Sequence, residues 1–544
     1  MSFAQLGEHV AELARGLMAL GVEPGDRVAL QARTRPEWTL ADFAIARAGG
    51  VTVPVYPTNS PAECEWVIGD SGARVAVCED AGQLEKLAGL PGLETIVVME
   101  PAGDAPTLAT LRERGREIAP ETLERRTAAV TREDLYTIIY TSGTTGPPKG
   151  CMLSHGNYRD VTSMLEGREP PEERETTYLF LPLAHSFGRL TQLAVLDVGN
   201  ELAYVGTTDP RGMIAELSEV RPTSLPSVPR LFEKVHAVIF AHHDAAKLTA
   251  ATEVGVRVRT LRAAGEEVPA ELQAAFDAAE EAVFRNVRAV FGGNLHQAIT
   301  GAAPIAPEIL EFFYACGVPV LEAYGLTETA TAASYSTATD FRFGSVGRPL
   351  PGLEARIADD GELLLKGPNI FAGYWGQVAG DYGAVVDGWL HTGDLARIDE
   401  DGYIYITGRK KDLIITAGGK NLSPANFENA LKRNPLVADA VMFGDRRPYP
   451  VALVTLDGEQ LAAWAARHPD VPEPLAEAPA VRALVQAAVD EANAGLSRPA
   501  QVKRFAILGN EFSQATGELT PTLKVRRAAV AEKYAGVLDA LYGD

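Results

Sequence analysis

Nowhere in the chain do about 20 apolar residues run uninterrupted, so the sequence predicts no membrane-spanning helix. The N-terminus lacks a basic patch followed by an apolar core, the mark of a secretory signal. Cysteine is scarce. Cys64, Cys78, Cys151 and Cys316 are scattered without metal-ligand spacing, which argues against a disulfide scaffold and suits a reducing cytosol. Positive charge is in deficit: 50 Lys+Arg against 72 Asp+Glu leave a net charge of −22. Such a surface repels phosphate backbones and argues against a nucleic-acid partner, while leaving room for a local basic site that takes a small anion. No fixed-period repeat is present. What remains is 544 residues, 46% hydrophobic and 22% charged, the make-up of a soluble globular protein with more than one domain.

Leu6, Val10, Leu13 and Leu17 recur at helical spacing and predict an opening helix. A turn at Pro24-Gly25-Asp26 leads to the apolar run 28–30, a helix from Pro36 to about Ala48, and the β-branched run 51–55. The rhythm continues at 75–77 and 95–98, which indicates a parallel sheet covered by helices. A start on a helix, with no strand before it, reads as a chain that begins late. From about Glu233 to Asn286 the composition turns to Ala, Glu, Arg and Leu. Helices packed on the sheet are the preferred reading there, and a cap or lipid-facing insertion is the alternative. From about Leu353, short strands with Gly turns, as at 361–365, predict a β-rich subdomain. From about Asp412, short strands at 440–443 and 451–454 alternate with Ala-rich helices in a separate α+β unit, and 468–479 reads as a surface loop.

The densest local signal is Tyr140-Thr141-Ser142-Gly143-Thr144-Thr145-Gly146-Pro147-Pro148-Lys149-Gly150, placed after the predicted strand 135–139. Glycines let backbone approach an anion, four hydroxyls and main-chain N–H groups can wrap phosphate oxygens, and Lys149 adds positive charge. A Walker A loop would need Gly at 148 and Ser or Thr at 150, where Pro148 and Gly150 stand, so a P-loop NTPase is disfavoured. Further on, Tyr324 offers a ring for a base to stack on, Thr327 a hydroxyl, and Glu328 a hard oxygen suited to Mg²⁺. Asp394 reads as a carboxylate after a Gly turn that can accept two hydroxyls, or else as a plain turn Asp.

The 140–150 segment resembles the phosphate-binding signature of the AMP-binding, adenylate-forming superfamily: acyl-CoA synthetases, firefly-type luciferases and peptide-synthetase adenylation domains. Four later segments are similar to its other signatures in the same order: Tyr324 to Thr329, Gly388 to Asp394, Gly408 to Asp412, and Leu519 to Lys524. The resemblance implies ATP and CoA as co-substrates and Mg²⁺ held by Glu328 and Thr144. It places Asp394 and Arg409 at the ribose, Gly301, Ala302 and Ala303 beside adenine with Tyr324 and Gly325, and Thr327 and Lys524 at the reacting phosphate. Lys411 aligns with a hinge. His185, in Leu181 to Arg189, falls beside the acyl tunnel as a gate or carboxylate-side residue; a lone His is otherwise a structural one. Gly418, Gly419 and Lys420 lie in a loop that approaches CoA.

The similarity is greatest to long-chain fatty acyl-CoA synthetases. It implies an α/β fold: a large N-terminal domain of helix-covered sheets with a β-rich subdomain over 1–408, a hinge at 409–411, and a small mobile α+β domain over 412–544. The implied activity is ATP-dependent conversion of a fatty acid to acyl-CoA through an acyl-adenylate. A ligase for a medium-chain or aromatic acid, and a non-catalytic nucleotide or acyl-CoA sensor, are the rivals. The expected location is the cytoplasm, with room for peripheral contact at a membrane.

Overall fold

The computed structural model describes residues 1–141, 148–169, 174–376, 384–417, 421–520 and 523–543, apart from side chains at 210, 211, 241, 242 and 421. The secondary structure of these residues begins with a helix, Phe3–Ala19, that starts at a capping box. The Ser2 hydroxyl accepts from the Gln5 N–H, and the Gln5 side chain accepts from the Ser2 N–H. The buried Val10, Leu13 and Leu17 of this helix are the periodic residues of the sequence.

The first sheet contains β1 (Arg27–Gln31), β2 (Val51–Pro54), β3 (Val75–Cys78), β4 (Thr95–Val98), β5 (Leu135–Thr141) and β6 (Lys149–Ser154). The order β6-β5-β2-β1-β3-β4 is parallel except for the β5–β6 hairpin. β1 to β3 are apolar and buried along almost their whole length, as a sheet covered on both faces requires. The second sheet holds β7 (Thr176–Leu179), β8 (Glu201–Tyr204), β9 (Ser224–Ser227), β10 (Gln297–Thr300) and β11 (Val320–Tyr324), all parallel. The antiparallel β12 (Ser334–Tyr335) and β13 (Arg348–Pro349) extend its edge.

The Ala-rich stretch forms the helices Pro229–His242, Ala245–Ala263 and Ala270–Ala279, a π turn at Glu280–Phe284, and Arg285–Val290. Phe232, Leu248, Val258, Phe276, Phe284 and Val287 bury against β-sheet residues such as Leu225 and Ala298 in one core, so these helices pack on the second sheet. The β-rich subdomain comprises β14 (Glu354–Ile357), β15 (Glu362–Lys366), β17 (Val385–Val386), β18 (Trp389–Ile398) and β19 (Ile404–Arg409), while β16 (Gly373–Tyr374) returns to pair with β6.

The small C-terminal domain pairs β20 (Ile414–Ile415) with β21 (Asn421–Leu422), and orders β22 (Val437–Phe443), β23 (Val451–Leu456) and β24 (Arg504–Ile507) in a second sheet. The helices Ala425–Leu431 and Pro479–Ala494 cover it around a separate core of Phe427, Leu431, Val481 and Val485. The expected 468–479 loop carries one 3-10 turn, Leu475–Glu477, and its last residue opens a helix. Among the described residues no helix is long and apolar enough to cross a membrane.

Candidate active site

One cavity of about 2550 Å³ lies where the carboxyl ends of β10 and β11, the β5–β6 hairpin, the β-rich subdomain and the small domain converge. In parallel sheets the strand ends leave room for ligands at this position. Gly301-Ala302-Ala303 follow β10 and line the cavity, as do Gly325, Leu326, Thr327 and Glu328 after β11. Gly325 has no substitute here: a Cβ would fall 1.7 Å from the Thr331 carbonyl oxygen. Ala302 sits at φ 70°, a left-handed conformation that costs a non-glycine residue about 1–2 kcal/mol. Strain of this kind collects at ligand sites, where the surrounding structure holds it in place.

Asp394 is 3% exposed and is not at a turn; it lies within β18, opposite Arg409 on β19. The turn expected there is a left-handed Gly393 (φ 71°) inside the strand. Strand pairing brings the Arg409 Nε within 2.9 Å of Asp394 Oδ1, and the Tyr324 hydroxyl donates to Oδ2 at 2.6 Å. Each carboxylate oxygen keeps a lone pair for a further donor. The Tyr324 hydroxyl is held well above its usual range by burial and the adjacent Asp394, so it stays a donor. Glu328 lies in the 3-10 turn Thr327–Thr329, and its Oε1 accepts from the Tyr374 hydroxyl at 2.7 Å. Lys149, first residue of β6, places its Nζ 5.3 Å from the centre of the Tyr374 ring. Thr141 ends β5 at the cavity wall.

Lys524 reaches this group from the small domain. Its backbone is pinned in a tight loop: the Lys524 N–H donates to Thr520 Oγ1 at 3.0 Å, and the Lys524 carbonyl accepts from the Thr520 N–H at 2.8 Å. Leu523, left-handed at φ 59°, turns the chain just before it. The lysine is open to solvent within the cavity yet walled by protein. Desolvation, then the Arg409 charge, lower its pKa, against the opposing pull of Asp394 and Glu328. His185 caps the helix Ser186–Asp197, its Nδ1 accepting from the Phe187 N–H at 3.1 Å. Burial, and then Lys524, lower its pKa to about 4. The ring is therefore neutral at ordinary pH, with its proton on Nε2.

Lys149, Thr141, Gly301, Ala302, Ala303, Tyr324, Gly325, Thr327, Glu328, Asp394, Arg409, Lys411, His185 and Lys524 thus share one cavity. Lys411 is exposed in the 3-10 turn Lys410–Asp412. Ser142, Gly143, Thr144, Thr145 and Gly146, and Gly418, Gly419 and Lys420, lie outside the described residues. Two groups of the site carry no mark in the sequence motifs. Tyr374 holds Glu328 from 46 residues away, and no local pattern singles it out. Glu322, on β11, has its carboxyl pushed up to about 8 by burial, against which the Gly344 N–H bond pulls. Its one signal is a lone acid beside the apolar Val320-Leu321 run.

Residues 1–375 match the family of AMP-binding enzymes, and residues 411–544 match the AMP-binding enzyme C-terminal domain. The long-chain-fatty-acid–CoA ligase FadD15 of Mycobacterium bovis is 39% identical, over 99% of this chain and 92% of its own. The long-chain-fatty-acid–CoA ligase ACSBG2 of Gallus gallus is 33% identical, over 98% and 76%. Among solved structures, the anthranilate CoA ligase AuaEII in complex with anthranoyl-AMP superposes with a TM-score of 0.75 at 21% identity, covering 99% of this chain and 93% of that one. With two matched domains and full-length relatives, the chain belongs to the AMP-binding enzyme family.

Proposed function

We propose that the protein activates a long-chain fatty acid to acyl-CoA at the expense of ATP. The observation that carries this reading is the arrival of Lys524 from the small domain at the cavity shared by Asp394, Arg409, Glu328 and His185. In the first half-reaction a carboxylate oxygen attacks the α-phosphorus of ATP. The bond to pyrophosphate breaks, and an acyl-adenylate forms. Negative charge grows on the phosphoryl oxygens, and Lys524 and the Thr327 hydroxyl offset it. Asp394 accepts from the ribose hydroxyls while Arg409 keeps its carboxylate oriented. Gly301, Ala302 and Ala303 flank the adenine, and Tyr324 gives it a ring face. The hydroxyl loop 141–146 and Lys149 wrap the outer phosphates.

The donor set suits Mg²⁺: Glu328 points a carboxylate into the cavity and gives one oxygen to Tyr374, leaving the other for a hard cation, with Thr144 as a second oxygen. Bound there, the ion would neutralise phosphate charge. The neutral His185, its Nδ1 taken by the Phe187 N–H, offers its Nε2–H as a donor to the acyl carboxylate. In the second half-reaction the CoA thiolate attacks the adenylate's carbonyl carbon and AMP leaves. The small domain, 412–544, rotates about 409–411 with Lys411 as the pivot, and brings Gly418, Gly419 and Lys420 to CoA. The acyl class rests on relatives that carry the long-chain name and on the apolar residues Phe187, Leu190, Ala194, Val195 and Val198 that line the cavity. A panel of acids from acetate to oleate, with benzoate, assayed for pyrophosphate and thioester, tests the reading. Turnover rising toward long chains is expected; turnover of short or aromatic acids only, or of none, overturns it.

A further inference from the structure

Glu362 lies outside the five signature segments, yet its carboxylate stands where two of them meet. It opens β15, is 4% exposed and lines the cavity. Opposite it β18 is irregular. Glu362 pairs with Leu395 and Leu364 with His391, so Thr392, Gly393 and Asp394 face the single residue Leu363. Such a bulge takes N–H groups out of the ladder, and a buried N–H then needs another acceptor. Side chains supply it. Gly393, left-handed at φ 71°, donates its N–H to Glu362 Oε1 at 2.8 Å. The Asp394 N–H donates to Thr392 Oγ1 at 3.1 Å, and that hydroxyl donates to the Leu363 carbonyl at 2.7 Å. Asp394 therefore sits on a bulge propped by a buried carboxylate.

The second oxygen of Glu362 faces the hinge. Oε2 accepts from Lys410 Nζ at 3.0 Å, and His391 Nδ1 lies 3.1 Å from it. Burial pushes this carboxyl up, and the contacts with Lys410, Gly393 and His391 outweigh it, so the pKa is lowered and the group stays charged. Lys410 also pairs with Asp360 at 2.5 Å and opens the 3-10 turn Lys410–Asp412, one residue before the proposed pivot Lys411. Arg409, one residue earlier, pairs with Asp394 itself. A single buried carboxylate is thus bonded to the residue before the ribose acid and to the residue before the pivot.

Resting on the proposed acyl-CoA ligase function, we propose that Glu362 is a positioning residue for the nucleotide: it holds the bulge that presents Asp394 to the ribose and ties that bulge, through Lys410, to the hinge turn. It acts through Asp394 rather than on the nucleotide. Without the carboxylate the Gly393 N–H loses its acceptor, the left-handed residue is no longer fixed, and Asp394 drifts from the ribose hydroxyls. Lys410 keeps the carboxylate charged and in place.

The test measures kcat/KM for ATP and for 2′,3′-dideoxy-ATP, which offers no ribose hydroxyls. Pyrophosphate release is followed with the full-length protein, Mg²⁺, CoA and the acid turned over best. The wild type should prefer ATP by about tenfold or more, the scale of hydrogen bonds to a charged group. In Glu362→Ala that preference should fall by about fivefold or more, through a higher KM for ATP at little changed kcat, with use of the dideoxy nucleotide unchanged within about twofold. A merely structural role would lower the use of both nucleotides alike. Glu362→Gln keeps an acceptor for the Gly393 N–H and should restore most of the preference. Lys410→Met should lower it by about twofold or more, and should lower it no further when added to Glu362→Ala. Should Glu362→Ala fail to fold, Lys410→Met, at a half-exposed side chain, carries the test. Equal losses on both nucleotides, a preference unmoved by either substitution, no recovery in Glu362→Gln, or additive losses in the double variant overturn the inference alone. Equal use of both nucleotides by the wild type overturns the ribose role of Asp394 with it. Absence of pyrophosphate with every acid overturns the function as well.

Discussion

At the level of single residues, the site is built from groups whose charge state is set by their surroundings. Lys524 stands in the field of Arg409, Asp394 and Glu328, where an ammonium meets charge that grows only as phosphorus is attacked. Lys524→Ala should slow acyl-adenylate formation by about 10²–10³-fold or more, the scale of losing a positioned charge-stabilising donor. Thioester formation from supplied acyl-adenylate should fall far less; single-turnover assays of each half-reaction check this, and equal losses would remove Lys524 from the first step. Glu322 gives a prediction on stability. Its carboxyl is raised to about 8 in the folded protein and lies near 4.3 in an unfolded chain. The folded state therefore holds a proton the unfolded state has lost, so this group's contribution is full below about 4.3 and drains away as pH rises toward 8. Glu322→Gln should flatten the fall in melting temperature between pH 5 and 8. Parallel wild-type and variant curves across that range would refute the assignment.

Among elements, strand pairings and short turns do the positioning. The pairing of β18 with β19 sets Arg409 against Asp394, and β16, by joining β6, brings Tyr374 to Glu328 and sets its ring beside Lys149. The loop around Lys524 is closed by a bridge between Leu519 and Val525. The 3-10 turn Lys410–Asp412 joins the β-rich subdomain to the small domain. Proline fixes φ near −65°, within the 3-10 range, so Lys411→Pro is compatible with the arrangement that presents Lys524. Adenylation should survive, whereas transfer to CoA should collapse if the turn must adopt another dihedral, and acyl-adenylate should accumulate on the protein. Labelled fatty acid followed through both products checks it; normal thioester formation would falsify rotation at this residue.

Over the whole molecule, the two domains meet across charged surfaces as well as the cavity. Arg433 of the small domain pairs with Glu308 at 2.7 Å, Glu459 with Lys234 at 3.1 Å, and Asp457 with Arg230 at 3.5 Å. The partners on the large domain sit on the helices Pro229–His242 and Pro307–Cys316, so these two helices serve as a docking face. Exposed pairs are worth about 0.2–1 kcal/mol each, enough to bias a hinged domain but too little to lock it. Arg433→Glu should slow adenylation by about two- to fivefold at low salt, with the difference vanishing at high salt. Glu308→Arg added to it should restore the rate. A double-mutant cycle in adenylation rate reads the coupling, and strict additivity would mean that the pair plays no part.

The linear order of residues is enough to set the succession of elements and to single out many of the residues that line the cavity. Hydrophobic period is a local property, which is why the helix at Leu6 to Leu17 and the strands 51–55, 75–77 and 95–98 are legible. Glycine, hydroxyl and charge clusters are local too, so Tyr324 to Glu328 and Gly388 to Asp394 stand out. Asp394 nevertheless reads as a turn residue, because a left-handed glycine inside a long strand looks like a turn until pairing is seen. Contacts between distant segments come from folding alone. Tyr374 reaches Glu328, and Lys524 comes within the field of Arg409, because strands and loops far apart in the chain meet at one point. Distances and desolvation arise from that convergence, which is why the lowered pKa of His185 and the raised one of Glu322 have no counterpart in any local motif.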